Sequence, residues 1–293
     1  MYDLIIIGLG PAGINACIYA KRSGLKILVI EKGMPGGTLH SINNIENYLG
    51  YEKINGTNLA MQFYKQFMEL NIEMKNEEVL DITLDGSIKT VITTNSSYQA
   101  KGIIIATGRG QLKLGIENEN LPGVSTCTLC DGALYKDKVV AIYGNNPKIL
   151  DDIFYLSNIV KKLYIITNKQ NLIGNQEKIE KVKQIENIEL IFNEEVKKIN
   201  GNVKIESISL NKQILEVDGL FINNEYGPLT SFVKNLNITN EKGYIITDET
   251  GKTKIDGIYA CGDNKAKDLY QIITAASEGA TAATAIYKYI KGL

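Results

Sequence analysis

The sequence predicts an α/β fold of two Rossmann-like domains, and three observations carry that prediction. Residues 3–31 run strand, glycine turn, helix, strand; a second unit of the same shape begins at Lys138; and the composition of the first part returns near Tyr244. Strands alternating with helices of this length build parallel sheets covered by helices. The expected division is a discontinuous domain, residues 1–110 with 241–293, around an inserted domain, residues 111–240.

Length and composition agree. With 293 residues, 44% of them hydrophobic, the chain can bury two cores. Its 32 basic and 33 acidic residues leave a formal charge of −1, which points to neither nucleic acid nor a membrane surface. Four cysteines, two of them in a Cys-x-x-Cys motif, suit a reducing cytoplasm with one redox-active pair rather than a secreted disulfide framework. The uncharged run Leu4 to Ala20 is broken by Gly8, Gly10, Pro11 and Gly13 and has no basic leader, so neither signal nor anchor is expected.

In the first unit an apolar strand leads into Gly8-Leu-Gly10-Pro11-Ala12-Gly13, a helix follows to about Ser23, and a strand from Lys26 to Ile30 ends at Glu31. Gly8 allows the tight turn, Gly10 lets a pyrophosphate approach the backbone, and Gly13 lets helix pack on strand. The helix N-terminus supplies N–H donors to the phosphates, and Glu31 sits where a carboxylate can hold a ribose hydroxyl. The motif implies a dinucleotide without saying which.

The loop Gly33 to His40, with Gly36, Gly37, Thr38 and Leu39, carries more glycine than a structural loop needs, and close approach to a ligand explains it. Ile42 to Gly50 contains Glu46, Asn47 and Tyr48; Asn58 to Leu70 is an expected amphipathic helix. Alternating segments from Ile72 to Ala100, turning at Asp85-Gly86, read as strands and lead to a buried strand ending in Ala106-Thr107-Gly108. Such a small-residue strand end can lie against a cofactor.

Cys127-Thr128-Leu129-Cys130-Asp131 is a redox constellation. Two cysteines three apart can close a reducible disulfide, and the adjacent carboxylate can pass protons. A zinc site would have to recruit the scattered Cys17, Cys261 and His40 to complete four ligands. Beyond the motif, the second unit reads as a strand from Val139 to Tyr143, a helix from Pro147 to about Lys161 and a strand from Leu163 to Ile166. Its turn is Gly144-Asn145-Asn146-Pro147-Lys148-Ile149, with Asn146 and Ile149 in the places of the second and third glycines. Pro147 behind an Asn146 cap is sound helix chemistry. The strand end Thr167-Asn168-Lys169 offers neither carboxylate nor arginine, so the unit reads as a scaffold that has lost its nucleotide. Short strands are expected from Ile188 to Phe221. After Thr253 to Ala260 come Cys261-Gly262-Asp263, where Asp263 can accept a ribityl hydroxyl, and a helix from about Gln271 to Ile290 whose start can point N–H groups at a flavin ring.

Gly8-x-Gly10-Pro-Ala-Gly13, Gly36-Gly37-x-Leu39, Glu46-Asn47, Ala106-Thr107-Gly108, Cys127-x-x-Cys130-Asp131, Tyr155-Leu-Ser-Asn-Ile159 and Gly257-x-x-Ala-Cys-Gly262-Asp263 with Gln271 occur in order along the chain. It resembles the low-molecular-weight thioredoxin reductases. The resemblance implies two three-layer ββα domains of the FAD-dependent pyridine nucleotide-disulfide oxidoreductase type, a cytoplasmic homodimer, and a middle domain that swings the cysteines between flavin and thioredoxin. FAD would be held by Gly8, Gly10, Pro11, Ala12, Gly13, Glu31, Lys32, Gly36, Gly37, Thr38, Leu39, Asn47, Ala106, Thr107, Gly108, Gly262, Asp263, Tyr270, Gln271 and Ile272. Cys130 would face the flavin, Cys127 would attack the thioredoxin disulfide, and Asp131 would be the acid/base between them. Cys17 and Cys261 fall outside the motif and read as packing residues.

The family's NADPH-binding glycine motif and its His-Arg-Arg-like stretch are replaced here, a further turn reads Asn223-Asn224-Glu225, and Tyr270 stands where arginine is usual. In these respects the chain is similar to the clostridial ferredoxin-dependent flavin thioredoxin reductases. The expected activity is reduction of thioredoxin with electrons from reduced ferredoxin, an acidic partner that Lys265 and Lys267 could meet. An NADPH enzyme with an atypical pocket, an oxygen-dependent dithiol oxidase and a non-enzymatic redox module are the alternatives.

Overall fold

The computed structural model describes every residue except Lys113, Asn145, Pro147, Lys148 and Glu225, so the expectations placed on the last four lie outside the described residues. The chain forms two compact units, residues 1–110 with 227–293 and residues 111–226. It therefore returns to the first unit at Gly227 rather than at 241. The intervening residues belong there because Val233, Leu236 and Ile238 enter its core and Leu229 accepts a 2.7 Å hydrogen bond from Thr107 Oγ1.

The first unit opens with β1 (Tyr2–Ile7), α1 (Pro11–Arg22) and β2 (Ile27–Glu31), followed by α2 (Gly56–Met68), β3 (Glu73–Asn76), β4 (Val79–Asp85), β5 (Ile88–Thr93) and β6 (Ser97–Ile105). Helix α2 starts two residues earlier than its apolar pattern suggests, because the Asn55 side chain caps it by accepting from Thr57 N at 2.9 Å. The chain then crosses through β7 (Arg109–Gln111) into the second unit. There it forms β8 (Val124–Ser125), α3 (Thr128–Asp131), β9 (Val139–Gly144), α4 (Ile149–Ser157), β10 (Lys162–Thr167), α5 (Gln176–Lys183) and β11 (Ile188–Phe192). Three short strands, β12 (Lys198–Asn200), β13 (Ser207–Ser209) and β14 (Ile214–Glu216), precede β15 (Gly219–Asn223). After β16 (Tyr226–Pro228), the first unit is completed by β17 (Ile258–Ala260) and α6 (Ile272–Lys291).

In the first unit the strands lie in the order β3-β2-β1-β6, with β17 parallel to β6 and the β4–β5 hairpin antiparallel on the same strand. Alternate β1 residues face opposite cores. Leu4 and Ile6 pack with Ala16, Ala20, Ala282 and Ile286 of α1 and α6, whereas Ile5 and Ile7 pack with Val233 and Ile238. Burial on both faces explains the unbroken apolar run of this strand. The second unit is three layers: α4 and α5 on one face of the parallel sheet β11-β10-β9-β15-β8, and the antiparallel β12-β13-β14 sheet on the other. Helix α5 was not foreseen, although Asn175 caps it and Ile179 and Val182 are its buried stripe. No helix among the described residues is long and apolar enough to cross a membrane.

Candidate functional site

The nucleotide cradle lies within the first unit, at the C-terminal ends of β1, β2, β6 and β17. A Cβ at Gly13 would stand 1.9 Å from Gly8 O, so that glycine is required for packing, whereas one at Gly10 would meet nothing within 4 Å. The open side of Gly10, at the start of α1 with Pro11 and Ala12, is where a pyrophosphate can touch backbone. Gly36 N donates to Leu9 O at 2.8 Å, which draws the second glycine loop onto the turn and leaves Gly37 beside Gly10. Glu31 does more than await a ribose: its Oε2 accepts from Leu9 N at 2.6 Å and its Oε1 from Gly33 N at 2.8 Å, tying turn to loop. A carboxylate has about four acceptor positions, so room for ribose hydroxyls remains. Lys32 is drawn 3.3 Å from Glu78, Thr38 is exposed, and the Leu39 side chain is 1% exposed among Ile45, Leu59 and Ala60, leaving its backbone to face a ligand.

The other wall is built from the chain's last third. Asn47 Nδ2 donates to Gln271 Oε1 at 3.0 Å just before α6, whose first residue is Ile272. Asn264 Nδ2 donates to Ile105 O at 2.8 Å and so fixes Gly262-Asp263 against the Ala106-Thr107-Gly108 end of β6. Gly262 N donates to Glu278 Oε2 at 2.8 Å, and Lys267 Nζ lies 3.1 Å from Asp263 Oδ1 and 3.2 Å from Glu278 Oε1. Asp263 Oδ1 is within ion-pair distance of Lys267 but outside hydrogen-bond geometry; it and Asn264 Oδ1 are buried acceptors with no hydrogen-bond donor among the described residues. Buried acceptors left in this way fit the hydroxyls of a ribityl chain. Asn264 and Glu278 were missed in the sequence, although Glu278 is the only acid in α6.

Lys265 and Lys267 cannot be exposed docking lysines, as they are 9% and 10% exposed. Lys267 instead neutralises two carboxylates, and Lys267→Met should cost about 2 kcal/mol of stability in urea unfolding by leaving Asp263 and Glu278 to repel. At Tyr270, the position expected to lack a cation, the Arg109 guanidinium lies 4.8 Å from the ring centroid and Lys267 Nζ 5.4 Å away, with Tyr244 packed 5.8 Å off.

In the second unit Cys127 and Cys130 are joined in a disulfide, with Cα atoms 5.3 Å apart. Helix α3 is a single turn, too short for a helix dipole to act on the cysteines. Its electrostatics are local: Cys130 N donates to Cys127 Sγ at 3.2 Å. Ser125, also missed, donates to Asp131 Oδ2 at 2.6 Å and accepts from Cys127 N at 3.0 Å, holding the carboxylate beside the cysteines. Cys130, which the resemblance places on the flavin side, is exposed, and Cys127 is half-buried. Cys17 and Cys261 are fully buried, and burial pushes both thiols up, Cys261 to about 12, which suits packing residues.

Two of the altered positions of the nucleotide-like module lie in the core of this unit. Ile149 is fully buried in the α4 core, and Thr167 is fully buried at the end of β10. Beside it, Asn168 Nδ2 lies 3.5 Å from Glu195 Oε1, and Lys197 holds the Glu195 carboxyl below the usual range. Glu195, ion-paired with Lys197 at 2.5 Å, thus borders the end of β10, and no arginine stands there.

A flavin cradle in one unit and a Cys-x-x-Cys disulfide on a second Rossmann-like unit define a flavin-dependent disulfide oxidoreductase. The family profile described as pyridine nucleotide-disulphide oxidoreductase matches residues 2–280. The chain is 34% identical to the thioredoxin reductase of Listeria monocytogenes, over 100% of this chain and 95% of that one. The crystal structure of Lactococcus lactis thioredoxin reductase (FR conformation) matches with a TM-score of 0.67 at 35% identity, covering 100% of both chains. A ferredoxin-flavin thioredoxin reductase from Clostridium acetobutylicum matches less closely, with a TM-score of 0.60 at 28% identity over 100% of this chain and 99% of that one. The chain belongs to the thioredoxin reductase family of pyridine nucleotide-disulphide oxidoreductases. FAD is its cofactor.

Proposed function

We propose that the chain reduces the disulfide of thioredoxin through Cys127 and Cys130, with electrons from reduced ferredoxin. FAD, when bound, supplies the conversion between one-electron and two-electron transfer that such a donor requires. Two electrons and two protons open the Cys127–Cys130 disulfide to a dithiol. Cys127 then attacks a thioredoxin sulfur, forming a mixed disulfide, and Cys130 displaces it, returning the enzyme disulfide and releasing the thioredoxin dithiol. Asp131, held by Ser125, receives and returns the proton of the thiol beside it. A cytoplasmic homodimer and movement of the second unit between its two partners follow from the same reading.

The donor rests on the altered nucleotide module, above all on the strand end Thr167-Asn168-Lys169, which offers neither a ribose carboxylate nor an arginine. The energetics allow it: a ferredoxin near −400 mV lies about 130 mV below thioredoxin at about −270 mV, worth about 6 kcal/mol for two electrons. Docking of an acidic ferredoxin should use lysines other than Lys265 and Lys267. Greater similarity to the Listeria and Lactococcus proteins than to the clostridial enzyme, together with a family named for a pyridine nucleotide, favours NADPH as the rival donor. Anaerobic stopped-flow reduction decides between them. Reduced ferredoxin should bleach the flavin rapidly and micromolar NADPH should not; rapid bleaching by NADPH with none by ferredoxin restores the pyridine nucleotide.

A further inference from the structure

Thr128, between the two cysteines, is 6% exposed, and its hydroxyl donates to Asp152 Oδ1 in the first turn of α4. The second oxygen of Asp152 accepts from Asn223 Nδ2 at the end of β15, itself buried. One carboxylate thus ties the redox turn to a helix and a strand of the nucleotide-like module. Among the described residues nothing else in that turn is comparably anchored from the side: Leu129 is exposed, Cys130 is exposed, and Asp131 is held by Ser125 from within the same loop. Gly132 packs against Tyr155 and Leu156 of α4, which seats the end of the turn but leaves its start to Thr128.

We propose that Asp152 is a positioning residue for the redox disulfide, acting through the Thr128 hydroxyl to hold the turn in shape when the sulfur–sulfur bond is open. A four-residue helix cannot keep its own geometry once its covalent tie is cut, because its few hydrogen bonds do not offset the entropy of the freed residues. With Thr128 anchored, the two sulfurs stay within reach, and the effective concentration of each thiol for the other stays high. The pair is thereby made a stronger reductant.

This inference rests on the reading of Cys127–Cys130 as the relay, but its test does not need thioredoxin. The exchange of the enzyme disulfide with two glutathione thiols, giving the enzyme dithiol and glutathione disulfide, is brought to equilibrium anaerobically with the FAD-loaded protein, and the dithiol fraction is read by alkylation and mass. Thr128→Val and Asp152→Ala should each shift that constant about tenfold toward the dithiol, about 30 mV for a two-electron couple. Thr128→Ser, which keeps the hydroxyl, should stay within twofold of wild type. Thr128→Val replaces one side chain by another of the same shape, so it decides the matter if Asp152→Ala does not fold. A Thr128→Val constant within twofold of wild type, or a Thr128→Ser constant displaced as far as that of Thr128→Val, overturns the proposal. A wild-type dithiol that forms normally but fails to reduce any thioredoxin would instead remove the reading of the relay.

Discussion

Gly10→Val protein should purify colourless and folded. The position is the first place to test the cofactor site, because a side chain there has space in the protein but not beside a pyrophosphate. A Cβ at Gly10 meets nothing within 4 Å, and the backbone there, at φ −79° and ψ −173°, is extended and open to valine. The fold should lose only the difference in helix capping, about 1 kcal/mol. Two methyl groups in the path of the phosphates should weaken FAD by at least a hundredfold, about 2.7 kcal/mol. The ratio of flavin to protein absorbance reads this directly. Gly13→Val is the contrasting case: its Cβ would strike Gly8 O at 1.9 Å, so that variant should fail to fold rather than merely lose colour. A Gly10→Val protein that keeps its full complement of FAD would refute the assignment of the turn.

Replacement of either cysteine should lower thioredoxin turnover by a factor of roughly a thousand or more, since serine cannot form the mixed disulfide or resolve it. The two variants should differ in what they trap. Cys127→Ser should keep a reducible flavin with no covalent adduct, whereas Cys130→Ser should accumulate a disulfide between Cys127 and thioredoxin, visible on a non-reducing gel. The greater exposure of Cys130 makes this a sharp test. A stable adduct through Cys130 in the Cys127→Ser protein would exchange the two roles. Thioredoxin reduction at the wild-type rate by both variants would remove the pair from the reaction altogether.

The sequence by itself determined what depends on neighbouring residues. Both strand-turn-helix-strand units, the glycine turn before α1 and the Cys-x-x-Cys-Asp segment are contiguous, and their period and spacing can be read without knowing what packs on them. The capped start of α2 and the short α5 were within reach of the same signals but were obscured by polar, asparagine-rich stretches with few buried residues. Only the tertiary structure decided which charges are buried and whom they meet. Glu278 reaches Gly262 across 16 residues, Asp152 reaches Thr128 across 24, and Asn223 reaches Asp152 across 71. Lys265 and Lys267 look like surface residues in the sequence because lysine is rarely buried. In the fold Lys267 lies between Asp263 and Glu278, and these carboxylates offset the cost of taking its ammonium out of water. Such pairings follow from the packing of distant segments against one another, and no local pattern in the chain encodes them.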